Sequence, residues 1–201
     1  MLSGRHHRAM RVVIGDTEIQ FVDYPFAGAS VYPDGVLAVS EIAYADPRAS
    51  PPELRTVSGE TLFVLASDAP ALAEFCRRTE IAVRRRGDIW ADLLEPFLDT
   101  SFDDDDQRAT EARLHRSGIA PQEVTDIRER VERAMMSYNF DSMLWEWAHL
   151  GLYDLLSAAN GVLVRPAARA TLGDPEQLYR WAMRIAARTG PDHDARAAGP
   201  G

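Results

Sequence analysis

The stretch Gly87-Asp88-Ile89-Trp90-Ala91-Asp92-Leu93-Leu94-Glu95-Pro96-Phe97 decides the fold, because the apolar pattern changes period here and does not change back. Ile89, Trp90, Leu93, Leu94 and Phe97 recur at the spacing of one helix face, Asp88 is placed to cap its start, and Pro96 should end or kink it. On the N-terminal side the pattern is strand-like. On the C-terminal side it is helical.

From Arg11 to Ala66, short apolar runs are separated by turn residues. Thr17 to Val22 alternates with period two, the mark of a half-buried strand, and Gly15-Asp16 before it reads as a hairpin turn. Pro33-Asp34-Gly35 is a second turn, since Asp-Gly tolerates the positive φ values that a tight turn requires. Val36 to Val39 and Glu41 to Tyr44 follow it as strands. Asp46 to Pro52 holds three prolines and must be a loop. Leu54 to Val57, Ser58-Gly59-Glu60 and Thr61 to Leu65 read as a third hairpin. Ser67-Asp68 ahead of Pro70 then opens a helix running to Arg78.

Beyond Phe97, Asp103 to Asp106 sit where a helix N-terminus favours negative charge, ahead of Ala109 to Arg116 and a stop at Gly118. Pro121 opens a helix with the stripe Val124, Ile127, Val131, Met135 and Tyr138. Asp141 to Ala159 is apolar almost all round and reads as one helix central to a bundle. Asp174-Pro175-Glu176 starts a last helix with Leu178, Trp181 and Ile185 on one side. The expectation is an α+β chain. An N-terminal antiparallel sheet of four to six strands closed by a helix occupies 11–86, and a bundle of four to five helices occupies 87–188. Residues 1–10 and 189–201 read as disordered ends.

Val31 to Arg78 resembles the later strands and terminal helix of bacterial pleckstrin-homology-like domains. The resemblance rests on the Asp34-Gly35 turn, the run Ser40-Glu41-Ile42-Ala43-Tyr44-Ala45, the Ser58-Gly59-Glu60 hairpin and the closing helix. It covers about a quarter of the chain and implies a β-meander. Such domains bind many partners, so it implies nothing specific about activity.

Composition removes several chemistries. The 201 residues carry 22 basic side chains, every one an arginine, so no Schiff-base, P-loop or general-base lysine exists. The single cysteine, Cys76, excludes an intrachain disulfide and a multi-cysteine zinc site, and suits a reducing, cytoplasmic setting. With Leu72 and Phe75 it keeps i, i+3, i+4 spacing, so it reads as core rather than nucleophile. No run approaches a membrane span, and the familiar hydrolase, dinucleotide and zinc-protease motifs are missing. No cofactor or metal is expected.

Two features could carry function. The formal charge of −9 is concentrated between Asp88 and Asp106, where eight acids stand without one arginine. This argues against non-specific nucleic-acid binding and suggests an acidic face, centred on Asp99, Asp103, Asp104, Asp105 and Asp106, that docks a basic protein partner. The calcium-loop pattern lacks its glycine and final glutamate there. The five arginines at 77, 78 and 84–86 read as an ion-pair seam or solvated surface. Secondly, Ser142, Glu146, His149, Tyr153 and Ser157 fall on one face of the expected central helix. The spacing of Glu146 and His149 matches one metal-binding copy in ferritin-like bundles, but a single copy is insufficient. The leading expectation is therefore a cytoplasmic interaction or regulatory protein without catalytic activity. The alternative is a small-molecule-binding protein or enzyme with a pocket lined by Glu146, His149 and Tyr153.

Overall fold

A computed structural model describes residues 9–98, 104–141, 149–161 and 164–188. The expectations placed on residues 1–8 and 189–201 fall outside that set.

The class is α+β. Strands β1 (Arg11–Ile14), β2 (Glu18–Val22) and β3 (Gly35–Ala38) form one antiparallel sheet in that order. Ile19 pairs with Ile14 and Leu37, and with Phe21 it turns inward while Glu18 and Gln20 face solvent. A second antiparallel sheet holds β4 (Ile42–Asp46), β5 (Glu53–Thr56) and β6 (Thr61–Phe63). Instead of one sheet, the six strands thus make two sheets of three. The cause is local: Val39–Glu41 winds into a 3-10 turn, the Glu41 carboxylate accepts from the Ala38 N–H at 2.9 Å, and β3 cannot run on into a hairpin with β4.

The second sheet is the more deeply buried. Leu54 and Leu62 are fully enclosed, and the polar residues Arg55, Thr56 and Thr61 are largely buried beside them. Buried polar groups must be paired, and the Arg55 guanidinium donates to Thr61 Oγ1 at 2.7 Å. Helix α1 (Ala69–Thr79) starts with a proline in its first turn and buries Leu72, Phe75 and Cys76. Burial also pushes the Cys76 thiol pKa up, which keeps it protonated and inert. The chain then runs beside β4, where Ala45 exchanges backbone hydrogen bonds with Ala82 and Arg84. The arginines do not form a seam with the downstream acids. Arg77 pairs with Glu74 and Arg78 with Asp16, Arg84 lies over the Tyr44 ring, and Arg86 reaches the Ala186 carbonyl.

Among the described residues after 87, every regular element is helical. These are α2 (Ile89–Leu94), α3 (Asp104–Arg116), α4 (Pro121–Asp141), α5 (Leu152–Asn160), α6 (Pro166–Arg169) and α7 (Pro175–Ala186). Asp88 caps α2 through the Trp90 N–H, and a 3-10 turn at Glu95–Phe97 replaces the helix at Pro96. The fully buried Trp90 pins α2 to α7: its Nε1–H donates to the Ala182 carbonyl at 3.1 Å, and its ring meets Trp181 edge-on at 5.3 Å. Truncating such a ring costs about 3–5 kcal/mol. Arg113 bonds Asp92, and Arg128 takes the Asp92 and Leu93 carbonyls, so α3 and α4 clamp the C-terminal end of α2. One hydrophobic core runs unbroken from Ile19 in the first sheet to Ala186 in α7.

Candidate functional site

Of the residues singled out from the sequence, His149, Tyr153, Asp104, Asp105 and Asp106 fall among the described residues. Glu146 lies outside the described residues. His149 is described, is exposed, and belongs to no helix, while Tyr153 sits half-buried in the first turn of α5. A common stripe needs one helix from Asp141 to Ala159, but residues 149–151 are not helical and α5 begins at Leu152. The break at Gly151 has a cause. Asp88 Oδ2 accepts from the Leu152 N–H at 2.8 Å, Asp154 Oδ2 accepts from the Gly151 N–H at 2.8 Å, and a Cβ on residue 151 would stand 2.4 Å from the Asp88 carboxylate. Tyr153 instead joins an aromatic cluster, its ring edge-on to Phe26 at 5.5 Å and to Phe63 at 5.3 Å. Of the acidic run, Asp99 and Asp103 lie outside the described residues. Asp104 opens α3, Asp105 and Asp106 are exposed on it, and Asp105 pairs with Arg108.

Asp88 therefore caps two helices at once, and it gathers further carboxylates around it. Asp88 itself keeps solvent access, while its carboxylate oxygens accept from two backbone N–H groups. The lost hydration raises its pKa against the pull of the Leu152 and Trp90 N–H groups, Arg86 and His149. Glu53 on β5 is pushed up to about 7, by burial first and then by Asp88, with Arg86 opposing. Asp154 rises to about 6, again by burial first, while the Gly151 N–H and Tyr138 hydroxyl hold it down. Chemically, this junction can exchange protons near neutrality. Its capping oxygens, however, are spent on backbone N–H groups. Among the described residues, no group of three or more His, Cys, Asp or Glu side chains is placed to hold a metal ion.

At the other end of the β5–β6 hairpin lies an open pocket of about 430 Å³. Three segments far apart in sequence wall it: the loop at Gly28 and Ser30, the hairpin turn at Ser58 to Glu60, and the outer side of α7 from Tyr179 to Arg184. Gly28 adopts φ +97°, and any Cβ there would meet Glu176 Cα and Tyr179 Cβ at 3.1 Å, so glycine is what lets the loop lie against α7. Asn160 of α5 accepts from the Ala27 N–H and fixes the loop from behind.

Glu60 ties the three walls together. Its Oε1 accepts from the Ser30 N–H at 2.9 Å and the Tyr179 hydroxyl at 2.6 Å, and its Oε2 accepts from Ser30 Oγ at 2.6 Å. Desolvation lifts the Tyr179 hydroxyl pKa far above its usual range, so it stays protonated and donating. Below the turn, the Thr61 N–H meets Met183 Sδ at 3.4 Å. The Arg55 guanidinium lies under Gly59, where an added Cβ would be 3.6 Å from it. On the rim, Arg180 pairs with Glu176 at 3.4 Å, and Arg184, one turn on, makes no ion pair among the described residues.

The sequence carried partial signals for this place. Ser58-Gly59-Glu60 reads as a turn, and Arg180 and Arg184 fall on one side of the last amphipathic helix. Nothing local couples them, because the Glu60–Tyr179 bond spans 119 positions. No protein-family model, no curated protein and no solved structure matches the chain.

Proposed function

We propose that this chain is a non-catalytic binding protein, of the interaction or regulatory kind, whose recognition site is the pocket between the β5–β6 turn and α7. The observation that carries this reading is preorganisation: one carboxylate, Glu60, holds all three walls before any ligand arrives. A cavity that is already shaped loses little conformational freedom on binding, which is how binding sites gain affinity. Its polar groups suit recognition more than chemistry, since Glu60 spends its oxygens as a tie and the Tyr179 proton is held in place. The single buried Cys76 suits a reducing compartment such as the cytoplasm.

A thermal-shift screen of small molecules against wild type and Ala187→Trp tests this reading. Ala187 is exposed at the pocket edge, so an indole there fills space without entering the core. Ligands at about 100 times their Kd should raise wild-type stability by about 2.7 kcal/mol and leave the variant unmoved. Equal shifts in both proteins, or no stabilising compound at all, would overturn it.

A second reading, an acidic docking surface for a basic protein partner, is favoured by the exposure of Asp105 and Asp106 while Leu114 turns inward on the same helix. Asp99, Asp103 and Asp104 extend the same run in sequence. The double variant Asp105→Arg, Asp106→Arg should then abolish co-purification of the partner, and undiminished capture would remove this reading.

A further inference from the structure

The charges around the pocket define a chemical class of ligand. Two arginines one helical turn apart, Arg180 and Arg184, stand exposed on its α7 wall, and the buried Arg55 guanidinium lies beneath Gly59 on the turn side. One acid faces them from the lining, Glu60. Its oxygens are already occupied by the Ser30 N–H, the Ser30 hydroxyl and the Tyr179 hydroxyl, though the carboxylate keeps its charge. Glu176 engages Arg180 across 3.4 Å with both side chains more than half exposed, a geometry that holds a guanidinium only weakly. Arg184 is not engaged at all among the described residues. The pocket therefore sets three arginines, Arg55, Arg180 and Arg184, against two carboxylates, Glu60 and Glu176, with Arg184 outside any ion pair on its rim among the described residues, and deeper in it offers the Tyr179 ring and Met183 side chain as an apolar floor.

We propose that this pocket takes an organic anion, a carboxylate or phosphate borne on an apolar body, with the anionic head between Arg184 and Arg180 and the body along Tyr179 and Met183. The planar guanidinium fork matches the paired oxygens of either head group, and an arginine cannot release its proton to escape an anion-free state. A volume of about 430 Å³ is that of a small-molecule site. The inference rests on the pocket being the recognition site, and it adds the sign and shape of what enters.

The test is a titration of the full 15N-labelled chain, read as amide shift changes at Gly28, Gly59 and Arg184, with five probes. These are phenyl phosphate, benzoate, benzyl alcohol, benzylamine and inorganic phosphate. Phenyl phosphate or benzoate should bind at least about tenfold more tightly than the neutral and cationic probes, and Arg184→Glu should weaken that binding by about tenfold or more. Arg184→Gln should give a smaller loss. The tighter of the two anions identifies the head group as phosphate or carboxylate. Equal binding of benzyl alcohol or benzylamine would overturn the anion inference while leaving the pocket standing. Inorganic phosphate binding as tightly as phenyl phosphate would overturn the apolar body. If no probe moves these three amides, both the inference and the recognition pocket fall.

Discussion

Glu53 and Glu60 stand at opposite ends of one hairpin, seven residues apart, and the protein treats them in opposite ways. Glu60 meets three neutral donors from two other segments and becomes the tie that shapes a pocket. Glu53 loses water by burial and also meets Asp88 in a crowded junction, with Arg86 in partial compensation, and its pKa climbs to about 7. The difference lies in what packs against each end, because the side chains are the same. A buried carboxylate surrounded by hydrogen-bond donors stabilises its surroundings, whereas one facing another carboxylate costs stability once it ionises. The same hairpin thus joins an end that ties a pocket together to a proton-sensitive end.

Replacing Glu60 should have the largest effect. Glu60→Ala leaves the buried Tyr179 hydroxyl with only the Thr61 carbonyl at 3.4 Å, while the exposed Ser30 donors turn to water, and with the loss of the tie should cost about 2–3 kcal/mol, seen in chemical denaturation at pH 7. A loss under about 1 kcal/mol would break the view of Glu60 as the tie. At the other end the sign reverses with pH. The native pKa of Glu53 lies above its ordinary value of 4.5, so between about 4.5 and 7 the native state holds more protons than the unfolded state. Stability should therefore fall as pH rises through this window, by on the order of 2 kcal/mol, with Asp154 and Asp88 acting in the same direction. Glu53→Gln should flatten most of that slope and leave the variant more stable than wild type at pH 8. A wild-type stability that rises from pH 5 to pH 8 would contradict the assignment. The smallest effect sharpens the comparison: Tyr179→Phe removes one of the three donors to Glu60 and should cost about 1 kcal/mol. It should also loosen the pocket, visible as faster amide exchange at Ser30.

Features built from neighbours in sequence were legible. The Gly15-Asp16 and Ser58-Gly59 turns, the caps at Asp88 and Asp174, the buried face of α1 and the inward residues Ile127, Val131, Met135 and Tyr138 of α4 all follow from spacing and turn chemistry. Two readings failed, the first where a distant residue decided the outcome and the second at a local turn. The helix expected through His149 depends on residue 151, and there the Asp88 carboxylate, 64 positions away from Leu152, fixes a new helix start. The single sheet depends on β3 continuing into β4, and Glu41 folds back on Ala38 instead. The pocket was illegible because, like the helix start at Leu152, it is built from residues far apart in sequence. Ser30, Glu60 and Tyr179 carry no shared spacing, and only the packing of α7 across the second sheet brings them within hydrogen-bonding distance.

The most direct test of the account is intact native mass spectrometry of the protein purified from its own host under conditions that preserve small ligands. The account predicts a bound small molecule of acidic character on wild type that is missing from Ala187→Trp and depleted on Arg184→Glu. A ligand retained equally by all three proteins, or a wild-type protein that carries nothing, would contradict it.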